Sequence, residues 1–255
     1  MTLIDTHTHL YLADFENDID AIIKRASAEG VTKFFLPAID SSEFERLVKL
    51  ERLFPGKCYA MIGLHPCSVK ENFNDELTFV EEALLHRRFA AIGEIGLDLY
   101  WDISLIDQQY DSFHRQIELA LTHNLPIVIH SRDALDETIS VVAQYYKRGL
   151  CGIFHCFGGT IEQAIKIIET GFYLGIGGVV TYKNSGLDVV LKNIDLKHLV
   201  LETDAPYLTP VPFRGKRNES GYLKYIVAKI AAIKNVTVEE VAIVTTQNAG
   251  HVFSF

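Results

Sequence analysis

Short apolar segments alternate with longer segments of helical period along almost the whole chain. The apolar segments have the length of strands: TLIDTHTHL, TKFFLPAI, CYAMIGLHP, AAIGEIGLD, LPIVIHSRD, GIFHCFGG, FYLGIGGVV and HLVLETDAP. Between them lie segments such as DIDAIIKRASAEG and TIEQAIKIIETG, whose apolar residues recur every three or four positions, as in amphipathic helices. The pattern predicts alternating strands and helices, and therefore a parallel sheet.

The number of these units favours a closed barrel. Eight strand–helix units in 255 residues fit an α/β fold of the (β/α)₈ TIM-barrel type better than an open doubly wound sheet. Two last segments, YLKYIVAKIAAIK and TVEEVAIVTTQNAGHVF, are predicted to be closing helices. No linker, low-complexity segment or short repeat marks a boundary, so we expect residues 1–255 to form one TIM-barrel domain.

Side chains that titrate or bind metals follow the predicted strands. In TIM barrels the carboxyl ends of the strands and the loops after them build the active site. His7 and His9 end the first predicted strand, His65 the third, Glu94 the fourth, His130 the fifth, His155 the sixth and Asp204 the eighth. Burying this many titratable groups without a compensating ion would cost several kcal/mol. The sequence therefore predicts a metal centre or a catalytic centre at this end of the barrel.

The spacing of His7 and His9 is open to two interpretations when taken alone. Residues one position apart on a strand point to the same face, so the two imidazoles can converge on one ion. A short strand can equally carry two polar residues where it reaches solvent. The other candidate ligands favour the metal pair.

Charge and composition narrow the range of partners and compartments. With 24 basic and 33 acidic residues the formal charge is -9, which argues against broad, non-specific binding to polyanions. Bound divalent metals and a few arginines can still make one cleft positive. From Leu3 onward the chain resembles a core strand, and no apolar segment is long enough to cross a bilayer. We expect a cytoplasmic protein with no membrane partner and no obligate protein partner.

Several motifs resemble those of the TatD family of metal-dependent deoxyribonucleases, within the amidohydrolase superfamily. They are DTHTHL, GLHP, AIGEIGLD, PIVIHSRDA, GIFHCFGG and ETDAPYLTP followed by FRGKRNE, and together they cover nearly the whole chain. The resemblance implies that His7, His9 and Asp204 hold one metal, that His130 and His155 hold a second, and that Glu94 bridges the two. It also implies that His65, Glu202 and Arg132 line the substrate side.

The predicted chemistry is hydrolysis at two divalent metal ions per chain. Two ions close together activate a bridging water as hydroxide and neutralise the charge that develops on a phosphodiester. We predict that Asp204 orients this water and takes its proton, while Glu94 and His65 complete the catalytic group. Imidazole and carboxylate donors suit Zn²⁺ or Mn²⁺ better than Mg²⁺, whereas the resemblance implies activity supported by Mg²⁺. We therefore expect activity with Mg²⁺ or Mn²⁺, and Zn²⁺ as a further occupant.

The function predicted from these observations is that of a 3′–5′ exodeoxyribonuclease. Single-stranded or frayed 3′ ends of DNA are the expected substrate, because the site lies inside the mouth of a barrel. The alternative is a hydrolase of a small-molecule amide, lactone or phosphoester, because the same hydroxide attacks carbonyl and phosphoryl centres alike. A metal-binding scaffold without catalysis would need a broken ligand set, and every expected ligand is present.

Two further groups of residues have a functional and a structural interpretation. Arg214 and Arg217, in the segment FRGKR after the eighth strand, either bind the phosphates that flank the scissile bond or belong to a solvated loop. Tyr100 and Trp101, after Glu94, either stack on bases or pack under their loop.

Overall fold

The computed structural model describes residues 1–254, and its centre is a set of parallel strands. The strands are β1 (Leu3–Asp5), β2 (Val31–Leu36), β3 (Cys58–Ala60), β4 (Ile92–Asp98), β5 (Ile127–Arg132), β6 (Gly152–Phe154), β7 (Tyr173–Ile176) and β8 (Leu199–Leu201). They pair in chain order, β1 to β3 in one run and β4 to β8 in the other. Each of these pairings is parallel, as the alternation of strands and helices predicts.

Backbone hydrogen bonds join the two runs at both ends and close the barrel. Between β3 and β4, Ala90 N–H donates to Ala60 O at 2.9 Å and Gly93 N–H donates to Ile62 O at 2.8 Å. Between β8 and β1, Thr6 N–H donates to Leu201 O at 2.9 Å. The predicted (β/α)₈ TIM barrel is therefore confirmed.

Helices follow the strands at the positions where the periodicity predicts them. They are α1 (Ile19–Ala28), α2 (Phe44–Leu53), α3 (Phe73–His86), α4 (Ile106–His123), α5 (Leu135–Val142), α6 (Ile161–Glu169), α7 (Leu187–Asn193), α8 (Leu223–Lys234) and α9 (Val238–Phe253). Helix α6 shows the local cause: Thr160 and Gln163 form a capping box at its start, and Ala164 and Ile167 are buried on its inner side. Capping and an apolar face together specify where this helix begins and which side faces the strands.

A second, smaller apolar cluster fills the interior of the barrel. It joins one side chain from most strands to the last helix: Ile4, Phe35, Met61, Ala91, Val128, Ile153, Val200, Ala249 and Val252. Side chains from so many strands can meet only on the inside of the barrel, since neighbouring positions along a strand face opposite ways. Because this interior is packed, the polar residues after the strands are left to form the other end.

No helix in the described part of the chain is both long enough and apolar enough to cross a membrane.

Candidate metal centre

The structure brings the predicted donor side chains together at the carboxyl end of the strands. Glu94 and His130 lie within β4 and β5, His155 directly follows β6, and the remaining donors lie in the segments after β1, β3 and β8. The buried members are His7, His9, Glu94, His155 and Asp204, and the half-buried ones are His65 and His130. Residues far apart in the sequence therefore share one mostly buried group.

His7 and His9 lie beyond the hydrogen-bonded part of the first strand, because β1 ends at Asp5. Their backbone is nevertheless held against the segment after β8. Asp204 N–H donates to His7 O at 2.9 Å, and His9 N–H donates to Ala205 O at 2.8 Å. The two Nε2 atoms converge, since they lie 3.6 Å and 3.5 Å from Asp204 Oδ1.

Glu94 stands in the middle of the donors and presents one oxygen to each side. Its Oε2 lies 3.1 Å from His7 Nε2 and 3.6 Å from His9 Nε2. Its Oε1 lies 2.8 Å from His130 Nδ1 and 3.5 Å from His155 Nε2. A carboxylate that presents one oxygen to each of two donor groups could contribute to the binding of two ions.

The residues of this site fit divalent cations. Neither buried nitrogen of His7 makes a hydrogen bond of good geometry with a described residue, although Nε2 lies 3.1 Å from Glu94 Oε2. Such burial is costly unless an ion takes the lone pair of the ring. Burial and the neighbouring charge of His155 lower the pKa of His7, so its ring is neutral and able to coordinate. Burial alone would raise the pKa of Glu94, but the surrounding histidines outweigh it and hold that pKa well below its usual range. The carboxylate is therefore ionised.

Donor atoms within 4.8 Å of one another fall into three overlapping groups. They are His7 with His9 and Glu94, His7 with His155 and Asp204, and His65 with Glu94 and His130. His155 is therefore grouped with Asp204, and it also faces the Glu94 oxygen that His130 faces. The prediction assigns His155 and Asp204 to different ions, whereas in the structure their donor atoms lie in one group.

Hydrogen bonds behind two of the rings select which nitrogen faces the centre. Tyr11 Oη donates to Pro37 O at 2.7 Å, so its oxygen is free to accept from His9 Nδ1, 3.0 Å away. His130 Nε2 lies 2.9 Å from Asp98 Oδ2, and a carboxylate can only accept. When either ring is neutral, its proton therefore lies on the outer nitrogen, and the lone pair points at the donors around Glu94.

His65 is arranged in the opposite way. Cys67 N–H donates to His65 Nδ1 at 3.0 Å, so the proton of the neutral ring lies on Nε2. That Nε2 is 3.4 Å from Glu94 Oε1. His65 therefore presents an N–H donor rather than a lone pair to the centre, which suits contact with a substrate oxygen better than metal coordination.

Most of the donor side chains line one cavity, which has a volume of about 1310 Å³. Its wall includes Arg132, Trp101 and Tyr207 beside the donor side chains. Arg132 is the one arginine or lysine among the described residues that line this cavity. Its guanidinium lies 3.8 Å over the ring of Tyr100 and forms no hydrogen bond or ion pair with a described residue. Its N–H donors are therefore available to an anion.

Three of the predicted substrate residues, Glu202, Arg214 and Arg217, do not line the cavity, whereas His65 does. Glu202 is completely buried and accepts from Cys156 N–H at 2.6 Å, so it supports the segment after β6 instead of facing substrate. Arg217 is paired with Asp18, with Nη2 2.6 Å from Oδ2. Arg214 lies 4.1 Å over the ring of Tyr182. Both arginines therefore contact the protein outside the cavity, and their phosphate contacts stay a prediction.

Two residues that shape the centre were missed by the sequence interpretation. They are Asp98, which holds His130, and Tyr11, which holds His9. Asp98 had a usable signal, because it lies two strand alternations after Glu94 and so belongs to the same face of β4. Tyr11 had none, since the turn that brings it back to His9 is irregular.

Comparison with known proteins gives consistent matches over the full length. A family model described as TatD related DNase matches residues 4–254. An uncharacterized metal-dependent hydrolase of Bacillus subtilis, YabD, is 40% identical, over 98% of each chain. A protein of Musicola paradisiaca named 3′–5′ ssDNA/RNA exonuclease TatD is 30% identical, over 98% of this chain and 97% of its own. The crystal structure of YjjV, a TatD homologue from Escherichia coli, superposes with a TM-score of 0.94 at 30% identity, over 99% of this chain and 98% of that one.

Proposed function

The chain belongs to the TatD-related DNase family of metal-dependent hydrolases, and from that premise we propose that it cleaves phosphodiester bonds of DNA as a 3′–5′ exodeoxyribonuclease. The observation that carries the proposal is the combination, in one cavity, of a buried carboxylate with histidine donors on both sides and a single unpaired arginine. The name of the Musicola paradisiaca relative, an exonuclease on single-stranded DNA and RNA, supports a nucleic-acid substrate.

The donor set would hold two divalent cations. His7, His9 and Asp204 form one side, His130 and His155 form the other, and Glu94 lies between them. Divalent cations held here supply activation of water as a nucleophile and neutralisation of charge on the phosphoryl group. We propose Mg²⁺ or Mn²⁺ in the active protein, with Zn²⁺ also suited to the histidine donors.

The side chains around the donors would divide the remaining work of hydrolysis. Burial alone would raise the pKa of Asp204, but the charge of His155 and the hydrogen bond with His9 outweigh it and lower that pKa. Asp204 is thus an ionised carboxylate that can orient the attacking water and take its proton. The N–H on His65 Nε2 can donate to a non-bridging phosphoryl oxygen. Arg132 can bind the next phosphate along the strand.

The depth of the centre favours strand ends over continuous duplex. The side chain of Glu94 is 3% exposed, so a phosphodiester must enter the cavity to reach it. The rim also carries Asp133, Asp136 and Glu137, which repel phosphates. Binding of a polyanion therefore depends on the metal cations and on Arg132.

The first test is a substrate panel with metal removal. We expect the metal-loaded protein to shorten end-labelled single-stranded DNA from its 3′ end, to act less on blunt duplex, and to bind about two ions per chain. Chelation followed by dialysis is expected to abolish cleavage, and Mg²⁺ or Mn²⁺ to restore it. Hydrolysis of esters, lactones or amides without cleavage of any oligonucleotide would instead identify a small-molecule hydrolase. Full activity in excess chelator would exclude the metal mechanism.

Arginine substitutions test the proposed phosphate contact. Arg132→Ala is expected to weaken binding of single-stranded DNA by about 10- to 100-fold, the usual effect of losing a charged hydrogen bond, and to lower the salt dependence of binding by about one charge. Arg217→Ala is the matched control, because that guanidinium is paired with Asp18 outside the cavity. Binding constants at several salt concentrations measure both. Equal losses in the two variants would contradict the assignment to Arg132.

A further inference from the structure

Two large aromatic side chains are left exposed in the loop between β4 and α4. Tyr100 is 51% exposed and Trp101 is 67% exposed. Trp101 lines the same cavity as the metal donors. Of the two interpretations that the sequence leaves open, packing beneath the loop is therefore excluded for Trp101. Two adjacent exposed aromatic rings, one of them lining the cavity of the metal donors, suit a ligand with an aromatic face.

The loop that carries these rings is held in place by its own hydrogen bonds. Asp98 Oδ1 accepts from Tyr100 N–H at 3.0 Å and from Trp101 N–H at 3.1 Å. The side chain of Gln109, on α4, donates to the backbone oxygens of Asp98 and Asp102, both at 3.2 Å. Because the loop is ordered before any ligand arrives, binding there does not have to offset the entropy of ordering it.

Arg132 completes the surface from the neighbouring strand. Its guanidinium lies 3.8 Å from the ring centroid of Tyr100 and 5.2 Å from that of Trp101. The cation is attracted by both rings and restricts their motion. The three side chains therefore form one platform, with aromatic faces and a positive charge, which we call the Trp101 platform.

The Trp101 platform is connected to the metal donors by a short chain of contacts. The Asp98 carboxylate that binds the loop backbone through Oδ1 also lies 2.9 Å from His130 Nε2 through Oδ2. His130 Nδ1 in turn is 2.8 Å from Glu94 Oε1. The platform therefore keeps a constant position relative to the donors, as a subsite that aligns substrate for reaction must.

We propose that the Trp101 platform is a stacking subsite for an unpaired nucleobase next to the phosphodiester that is cleaved; this rests on the proposed nuclease function. Every base has an aromatic face, so such a subsite tolerates any sequence. A base within a duplex is stacked on its neighbours and cannot also cover the indole. The platform thus favours single-stranded substrate, while Arg132 at its edge meets the phosphate of the same nucleotide.

The chain provides its own probe for this subsite, because Trp101 is its single tryptophan. Tryptophan fluorescence therefore reports on the platform alone. The titration uses metal-loaded Asp204→Asn protein, in which cleavage is expected to be slow, with a short single-stranded oligodeoxyadenylate and an abasic strand of equal length and charge. Binding of each strand is measured in parallel by anisotropy of a terminal label.

We expect the oligodeoxyadenylate to quench the tryptophan emission and the abasic strand to leave it unchanged. The abasic strand is also expected to bind about 5- to 150-fold more weakly, the range for one stacked base. Equal affinities for the two strands, or unchanged emission with oligodeoxyadenylate bound, would overturn the subsite.

Substitutions separate the role of the ring from that of the loop. In protein that is otherwise wild type, Trp101→Ala is expected to raise KM for single-stranded DNA by the same factor and so to remove the difference in KM between this strand and the abasic strand. Trp101→Phe is expected to recover most of the loss. Ile103→Ala is the matched control, since Ile103 is an exposed apolar side chain of the same loop, 59% exposed, that does not line the cavity.

The outcomes distinguish failure of the subsite from failure of the proposed function. If DNA is cleaved, but Trp101→Ala and Ile103→Ala behave alike, the subsite is wrong and the nuclease function stands. If no oligonucleotide is bound or cleaved while a small ester or lactone is hydrolysed, both proposals are wrong.

Discussion

Replacement of Asp204 by asparagine is expected to lower kcat by about 10²- to 10⁴-fold, the usual effect of removing a general base. The fold is expected to survive, because asparagine has nearly the same size and tolerates the left-handed backbone of this position, where φ is 55°. One oxygen remains to face His7 and His9, so much of the metal is expected to stay bound. The variant loses the negative charge and the basic oxygen that would take the proton of the attacking water.

Three measurements on the same protein decide the role of Asp204. Thermal stability and bound metal are expected to stay close to those of the parent, and the steady-state rate to fall. Near-normal kcat at full metal occupancy would refute the assignment of Asp204 as proton acceptor. A low rate accompanied by loss of metal would assign it as a ligand only.

Glu94→Gln is expected to act through the metal content. Each oxygen of Glu94 faces a different set of histidines, at 3.1 Å from His7 and 2.8 Å from His130. An amide has one oxygen and one NH₂ group, so whichever way it turns, one of the two sets of histidines has an NH₂ group, which cannot bind a cation, in place of a carboxylate oxygen. Loss of supporting contacts alone costs about 10- to 100-fold in metal affinity. We expect a loss above about 100-fold for one of the two ions, and a comparable fall in rate.

Metal analysis after dialysis, followed by activity at rising metal concentration, measures this effect. Glu118→Gln is the control, since Glu118 pairs with Arg148 on the exposed surface of α4, at 2.6 Å. That variant is expected to retain both ions and its full rate. A Glu94→Gln protein with two tightly held ions and normal activity would show that the carboxylate is no bridge.

The helices could be predicted from the sequence because their signals are local. The segment TIEQAIKIIETG contains the capping residues and the apolar face of α6, and the helix begins at Ile161 as these signals predict. Strand lengths were less predictable. The first apolar segment continues to Leu10, whereas β1 ends at Asp5. An apolar pattern indicates which residues are buried. Buried backbone can leave the hydrogen-bonded sheet while remaining inside the protein, so the pattern overestimates the length of a strand.

The donor residues could be predicted because their chemistry differs so strongly from that of the strands around them. Which of the predicted arginines is left unpaired could not be predicted, because nothing near an arginine in the sequence shows whether it is already paired. Arg217 pairs with Asp18, which lies 199 positions earlier in the sequence. Arg132 is free only because its neighbours in the fold, Tyr100 and Trp101, offer rings instead of carboxylates.

Closure of the barrel between β8 and β1 also constrains how the protein can fold. Thr203 N–H donates to Asp5 Oδ1, across 198 positions of the chain, and Asp204 and His7 are held together beside this bond. During synthesis β1 is made long before β8. Until β8 is made, one edge of β1 has no partner strand. Such an edge invites pairing with other chains while the protein is incomplete. β1 is only three residues long, which keeps this exposed edge small.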